Sequence, residues 1–208
     1  MKPLKLALFL CVSLLTISSM GAATPARAWT QMPTGAPAIP PAGFLGFCAK
    51  HLPECLTRSQ EATTIELTDE RLRALEAVQT TINASITPRL DPAHVWDYST
   101  DGTGDCNKFA LTKRRDLLAE GFPRGAVLLA TATTERGEGH LVLVVRTDRG
   151  DLVLDNRVQH VVDWSALPYH WVSVQSQQSP VRWVSILSQP IATADASRVI
   201  GSPVVQAR

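Results

Sequence analysis

The sequence predicts an α+β fold in which helices pack on one side of an antiparallel sheet. Residues 68–86 place Leu72, Leu75, Val78, Ile82 and Ile86 at helical spacing. Beyond residue 125 the pattern changes to five runs rich in Val, Leu and Thr, each ended by a polar or proline break. Strands joined by such short loops pair antiparallel, because a parallel pair needs a crossover of a dozen residues or more. Helices first and strands afterwards argue for α+β rather than alternating βα units.

Taken in order, the chain begins with Lys2 and Lys5, an apolar run at residues 6–17 and the triplet Ala26-Arg27-Ala28. That is the layout of a secretory signal peptide cleaved after Ala28. The run is short for a membrane span of about 20 residues, although a retained anchor is the alternative. Cleavage removes three cations and no acid, moving the formal charge from +1 to about −2 and disfavouring nucleic acid as a partner. A Pro-rich extended arm covers residues 29–42, a single domain without internal repeats covers 43–188, and a mobile tail covers 189–208.

Within the domain, a short helix or turn at residues 44–55 precedes the long helix, for which Thr68 is the N-cap. Pro88 ends that helix, and residues 88–105 form a long irregular connection of the kind that carries function. Asp105 then caps a second helix that starts at Cys106. The strands are expected at 126–134, 140–148, 151–156, 171–176 and 182–187, with a hairpin turn in "TDRGD". The basic run at 113–115 reads as a solvated helix face.

Cleavage leaves three cysteines. Cys48 and Cys55 flank a loop short enough for a local disulfide, which an oxidising compartment permits. A metal site there needs more ligands than His51 adds. Cys106 is then the odd thiol. Its place at the first turn of a helix, at the positive end of the dipole, is where a thiol becomes nucleophilic if an imidazole stands nearby. A free cysteine is equally at home in a core, and Phe109, Ala110 and Leu117 continue the same face into an interior. Spacing alone leaves the two readings open.

A nucleophile needs a base and the base needs an orienting acceptor. His140 stands at a strand start, directly after "ERGEG", and leads the five histidines by position. Asp155 ends an apolar strand, where an unpaired acid is costly. With Arg149-Gly150 as a two-residue turn, Asp155 lies opposite Val144. It shares the parity of His140 but is offset from it by four residues, roughly 13 Å at strand rise.

The ordered set "GDC", "KR..L...G.P", "GEGH.VLVV.T..GD.VLDN" and "W......Y..V..QS" resembles the bacterial transglutaminase-like cysteine proteinases, the group of LapG-related periplasmic proteases. The resemblance runs from about residue 43 to 187 and includes the upstream "FC....PEC" element and Trp96. It implies a papain-like or transglutaminase-like core, Cys106 as nucleophile, His140 as base, Asp155 as its partner, and a periplasmic or secreted peptidase with a protein or peptide substrate. Trp96 is a candidate wall of the substrate groove. No cofactor is expected beyond the calcium bound by LapG-type members, for which Asp105 and Asp101 are weak candidates. Those members continue the cysteine as "GDCED". Here Asn107-Lys108 follows, and Lys108 puts a cation where a hard metal wants anionic oxygens. Two other functions stay in view: a transglutaminase or amidase on the same scaffold, and a non-catalytic binding protein presenting a groove around Trp96 and Trp164.

Overall fold

The computed structural model describes residues 29–56 and 63–187. The expected signal peptide and the tail at 189–208 lie outside the described residues. Inside them no helix is long and apolar enough to cross a membrane.

The elements, in chain order, are β1 (Thr34–Ala38), α1 (Ala42–Lys50), α2 (Leu52–Cys55), α3 (Asp69–Ser85), β2 (Thr87–Pro88), β3 (Thr103–Gly104), α4 (Cys106–Ala119), β4 (Val127–Thr133), β5 (Gly139–Thr147), β6 (Gly150–Leu154), β7 (Val162–Asp163), β8 (His170–Ser176) and β9 (Ser179–Ile186). Seven strands form one sheet in the order β1-β9-β8-β4-β5-β6-β7, each neighbouring pair antiparallel. The five expected strands are its centre. Part of the expected arm, Thr34–Ala38, lies along β9 as an edge strand, the one position where proline is tolerated in a sheet. A short parallel pair, β2 with β3, brackets the long connection before Cys106.

Both faces of the sheet are covered, which explains why β4, β5 and β6 read as continuous apolar runs rather than alternating ones. Leu129, Leu141, Leu143, Val145, Leu152 and Leu154 face a core shared with Leu75, Val78 and Ile82 of α3 and Phe109, Leu111 and Leu117 of α4. Leu128, Val142, Val144 and Val153 face a second cluster with Met32, Trp164, Tyr169 and Trp171. Trp164 is therefore buried there, with its indole N–H on the Thr30 carbonyl, and shares no groove with Trp96.

Capping sets where the helices start. Thr68 Oγ1 accepts the Arg71 N–H to open α3, and the Asp105 carboxylate accepts the N–H groups of Asn107 and Lys108 to open α4. The basic run on α4 differs from expectation. Lys113 and Arg114 are buried, at 0% and 3% exposure, and only Arg115 reaches solvent. Arg114 is drawn inward because Glu54 accepts from its guanidinium at 2.7 Å and from Arg124 at 3.0 Å. Cys48 and Cys55 form the expected disulfide between α1 and α2.

Candidate active site

The β5–β6 hairpin carries two of the three residues. Its register pairs Thr147 with Gly150 and Leu143 with Leu154, so the two-residue turn is Asp148-Arg149 and not Arg149-Gly150. Gly150, at φ +141°, is the first residue of β6, and its carbonyl accepts from Thr147 Oγ1. Continuing this register by one residue sets Asp155 level with Val142, two residues from His140 instead of four. Parity is kept, and Asp155 lies just beyond the end of β6. His140 Nε2 lies 2.8 Å from Asp155 Oδ1.

Asp155 is 1% exposed, and both of its carboxylate oxygens accept hydrogen bonds. Oδ1 also accepts the Arg157 N–H, and Oδ2 accepts the Tyr169 hydroxyl at 2.5 Å. Burial pushes the carboxyl up, but the hydrogen bonds and charge of His140, with those of Tyr169 and the Arg157 amide, win and hold it below the usual range. His140 shows the reciprocal balance. Burial pulls the imidazole down, whereas the bond to Asp155, a hydrogen bond with the Cys106 side chain and the Asp155 charge raise it to about 9. With Nε2 on Asp155, Nδ1 is the nitrogen left for the thiol.

Cys106 comes from the other layer, as the first residue of α4. It is half-buried and is the free cysteine of the described residues. Asp105 takes the N–H groups of Asn107 and Lys108, and the Cys106 N–H is among those at the helix start that the helix itself does not use. Around the thiol lies a cleft of about 330 Å³ lined by Leu90, His94, Trp96, Thr131, Leu141 and His140, among others. Trp96 sits on Gly43 of α1, with its ring edge-on to Phe44. His51, Asp97 and Lys50 form a separate group beside the disulfide, with His51 Nε2 2.8 Å from Asp97 Oδ1. His160 contacts Glu76 and His170 is exposed, so neither joins Cys106.

The carboxylates near Cys106 do not suit calcium. Asp101 is turned onto Arg89 and Thr103, and Asp105 onto its own helix and Asn107 Nδ2. Asp91 is held by the Lys108 ammonium at 3.4 Å, and Asp97 by Lys50 and His51. Among the described residues no three His, Cys, Asp or Glu side chains gather in a way that holds a metal ion. A hard cation needs six or more oxygens free to converge, and here they are dispersed onto protein donors.

Two residues carry weight that sequence reasoning did not assign. Tyr169 fell inside a resembling motif without a role, and Gln79 read only as a helix residue. Gln79 is fully buried and donates to the backbone carbonyls of Asp155 and Val158. Its signal was a polar residue next to Val78 on the apolar face of α3.

The family model for the bacterial transglutaminase-like cysteine proteinases matches residues 34–190. Among curated proteins none matches. Of solved structures, Legionella pneumophila LapG is 26% identical with a TM-score of 0.45, covering 53% of this chain and 66% of its own. The calcium-bound form of LapG from the same organism is 23% identical at a TM-score of 0.49, covering 57% and 71%.

Proposed function

The chain belongs to the bacterial transglutaminase-like cysteine proteinase family, and from that premise we propose that it is an exported cysteine peptidase working through Cys106, His140 and Asp155. Membership of the family makes it a cysteine peptidase of the transglutaminase-like kind. The observation that supports these three residues is that His140, with Nε2 on Asp155, lines the same cleft as Cys106. An imidazole raised to about 9 by Asp155 and Cys106 holds a proton firmly once it has one, which suits it to carry the thiol's proton until a leaving group takes it.

In this mechanism the Cys106 sulfur attacks a peptide carbonyl and His140 receives the thiol proton. The C–N bond breaks as His140 returns that proton to the departing amine, leaving a thioester on Cys106. Water, deprotonated by His140, attacks the thioester; the carboxylic acid leaves and the thiol is restored. The Cys106 N–H supplies one donor to the oxyanion. Asp155 fixes the imidazole orientation, Trp96 walls the cleft, and a protein or peptide is the substrate. Export to the periplasm fits the N-terminal sequence and the Cys48–Cys55 disulfide. No step is assigned to calcium.

Iodoacetamide labelling from pH 5 to 9 tests the chemistry. Cys106 is expected to label readily at pH 6, where an ordinary thiol of pKa about 8.5 is almost wholly protonated. His140→Ala is expected to lose that reactivity. Labelling that follows an ordinary thiol in both proteins overturns the proposal. Peptide cleavage, absent in Cys106→Ser, separates a peptidase from a transglutaminase or amidase, which releases ammonia or crosslinks without cutting the chain.

A further inference from the structure

Behind Asp155 lies a buried cation that the mechanism above does not use. Lys113 follows Cys106 by seven residues, two turns along the same side of α4. It is 0% exposed, and its ammonium donates to Gln79 Oε1 at 2.7 Å. Among the described residues that oxygen is its one hydrogen-bond partner, supplemented by the Phe109 ring at 5.9 Å. The charge that acts on it is Asp155, and burial outweighs that charge, pulling the ammonium down to about 7. A buried cation with a neutral partner is expensive, and a Leu or Met fills the same space at lower cost.

What Lys113 does for Gln79 explains its presence. A carboxamide has two nearly isosteric orientations that exchange oxygen for NH2. An ammonium only donates, so Lys113 selects the orientation with Oε1 toward itself. The NH2 group then faces the turn after β6, donating to the Asp155 carbonyl at 2.8 Å and the Val158 carbonyl at 2.7 Å. Asn83, one helical turn further on, donates to the same two carbonyls at 3.2 and 2.9 Å. The turn that presents the Asp155 carboxylate is thereby pinned to α3, and α3 is oriented by the helix that bears the nucleophile.

We propose that Lys113 is a positioning residue of the active site: it fixes the Gln79 amide that clamps residues 155–158, and so sets the carboxylate that orients His140. The proposal rests on the assignment of Cys106, His140 and Asp155 as the catalytic residues. Its test is Lys113→Met in the full chain, with the fold checked by circular dichroism and two further readouts. The first is the titration of the His140 imidazole by NMR, which needs no turnover. The second is the pH profile of Cys106 alkylation.

The His140 midpoint is expected to fall by about one pH unit or more, and alkylation at pH 6 to fall roughly tenfold, as misplacement of a catalytic group does. Removing a nearby positive charge with no loss of position raises the midpoint instead. An unchanged or raised midpoint therefore overturns the proposal. If Lys113→Met does not fold, the double variant Lys113→Met/Gln79→Met decides by the same readouts, because it leaves neither partner unpaired. Because Lys113 acts through Gln79, the double variant is expected to lose no more than Gln79→Met alone. If the wild-type Cys106 alkylates as an ordinary thiol, the peptidase assignment fails, while the His140 titration still decides what Lys113 does.

Discussion

Tyr169 holds the oxygen of Asp155 that His140 does not use, and it does so while packing edge-on against the imidazole at 5.4 Å and against Trp171 at 5.7 Å. Its phenol is raised well above the ordinary value, first by burial and then by the Asp155 charge, so it stays a donor at every working pH. Tyr169→Phe keeps the ring contacts and deletes one hydrogen bond to a charged group, worth on the order of 1.5–3 kcal/mol. The expected result is a fall in kcat/KM of roughly tenfold, with the His140 midpoint lowered because Asp155 is less firmly placed. Steady-state kinetics with a cleaved peptide check it, and unchanged kinetics would show that His140 and the Arg157 amide suffice. At this scale the candidates Cys106, His140 and Asp155 could be singled out because each has a local signature, a capped helix start, a strand start and an acid ending an apolar run, while their roles came from the resemblance. Tyr169 and Lys113 have none, since their partners lie 14 and 34 residues away in the chain.

The elements meet at the cleft through small residues and turns. Gly43 on α1 stands where a Cβ would come within 2.4 Å of the Trp96 ring. Gly43→Ala has two opposed effects: alanine improves helix propensity by up to about 1 kcal/mol, and the clash forces a rigid indole aside at about 1–3 kcal/mol. The clash is larger, so the expected outcome is modest destabilisation with weaker substrate binding. A rise in KM exceeding any fall in kcat, with alkylation of Cys106 unaffected, is the signature that Trp96 walls the groove and takes no part in the chemistry. Element existence was readable from periodicity, while register was not. A turn placed one residue too far along moves Asp155 by two positions on its partner strand, and only the φ of Gly150, which the sequence does not specify, distinguishes the alternatives. The strands β1 and β7 escaped for a related reason. One is "TGAPA", the other two residues long, and both are fixed by pairing with a neighbour rather than by their own pattern.

For the molecule as a whole, the buried titratable groups oppose one another in their effect on stability. His140 is raised from 6.5 to about 9, so it contributes stability that is complete below 6.5 and lost as pH rises through 9. Lys113 is lowered from 10.5 to about 7; the unfolded chain binds the proton that the folded chain releases, so stability grows with pH from 7 to 10.5. Each group changes stability by about 1.4 kcal/mol per pH unit where it acts, with opposite sign. Between pH 7 and 9 the two cancel, and urea unfolding of the wild type is expected to give a nearly flat profile there. His140→Ala removes the falling contribution and leaves the rising one, so its stability is expected to climb between pH 7 and 9 by on the order of 3 kcal/mol. On the acid side Asp155, held below 3.8 chiefly by His140, contributes stability above its unfolded pKa and loses it as pH falls through its folded value, so the wild type weakens there. A steep slope for the wild type above pH 7, of either sign, would mean that one of the two buried groups does not titrate where its surroundings place it. A falling slope would point to Lys113 and a rising one to His140.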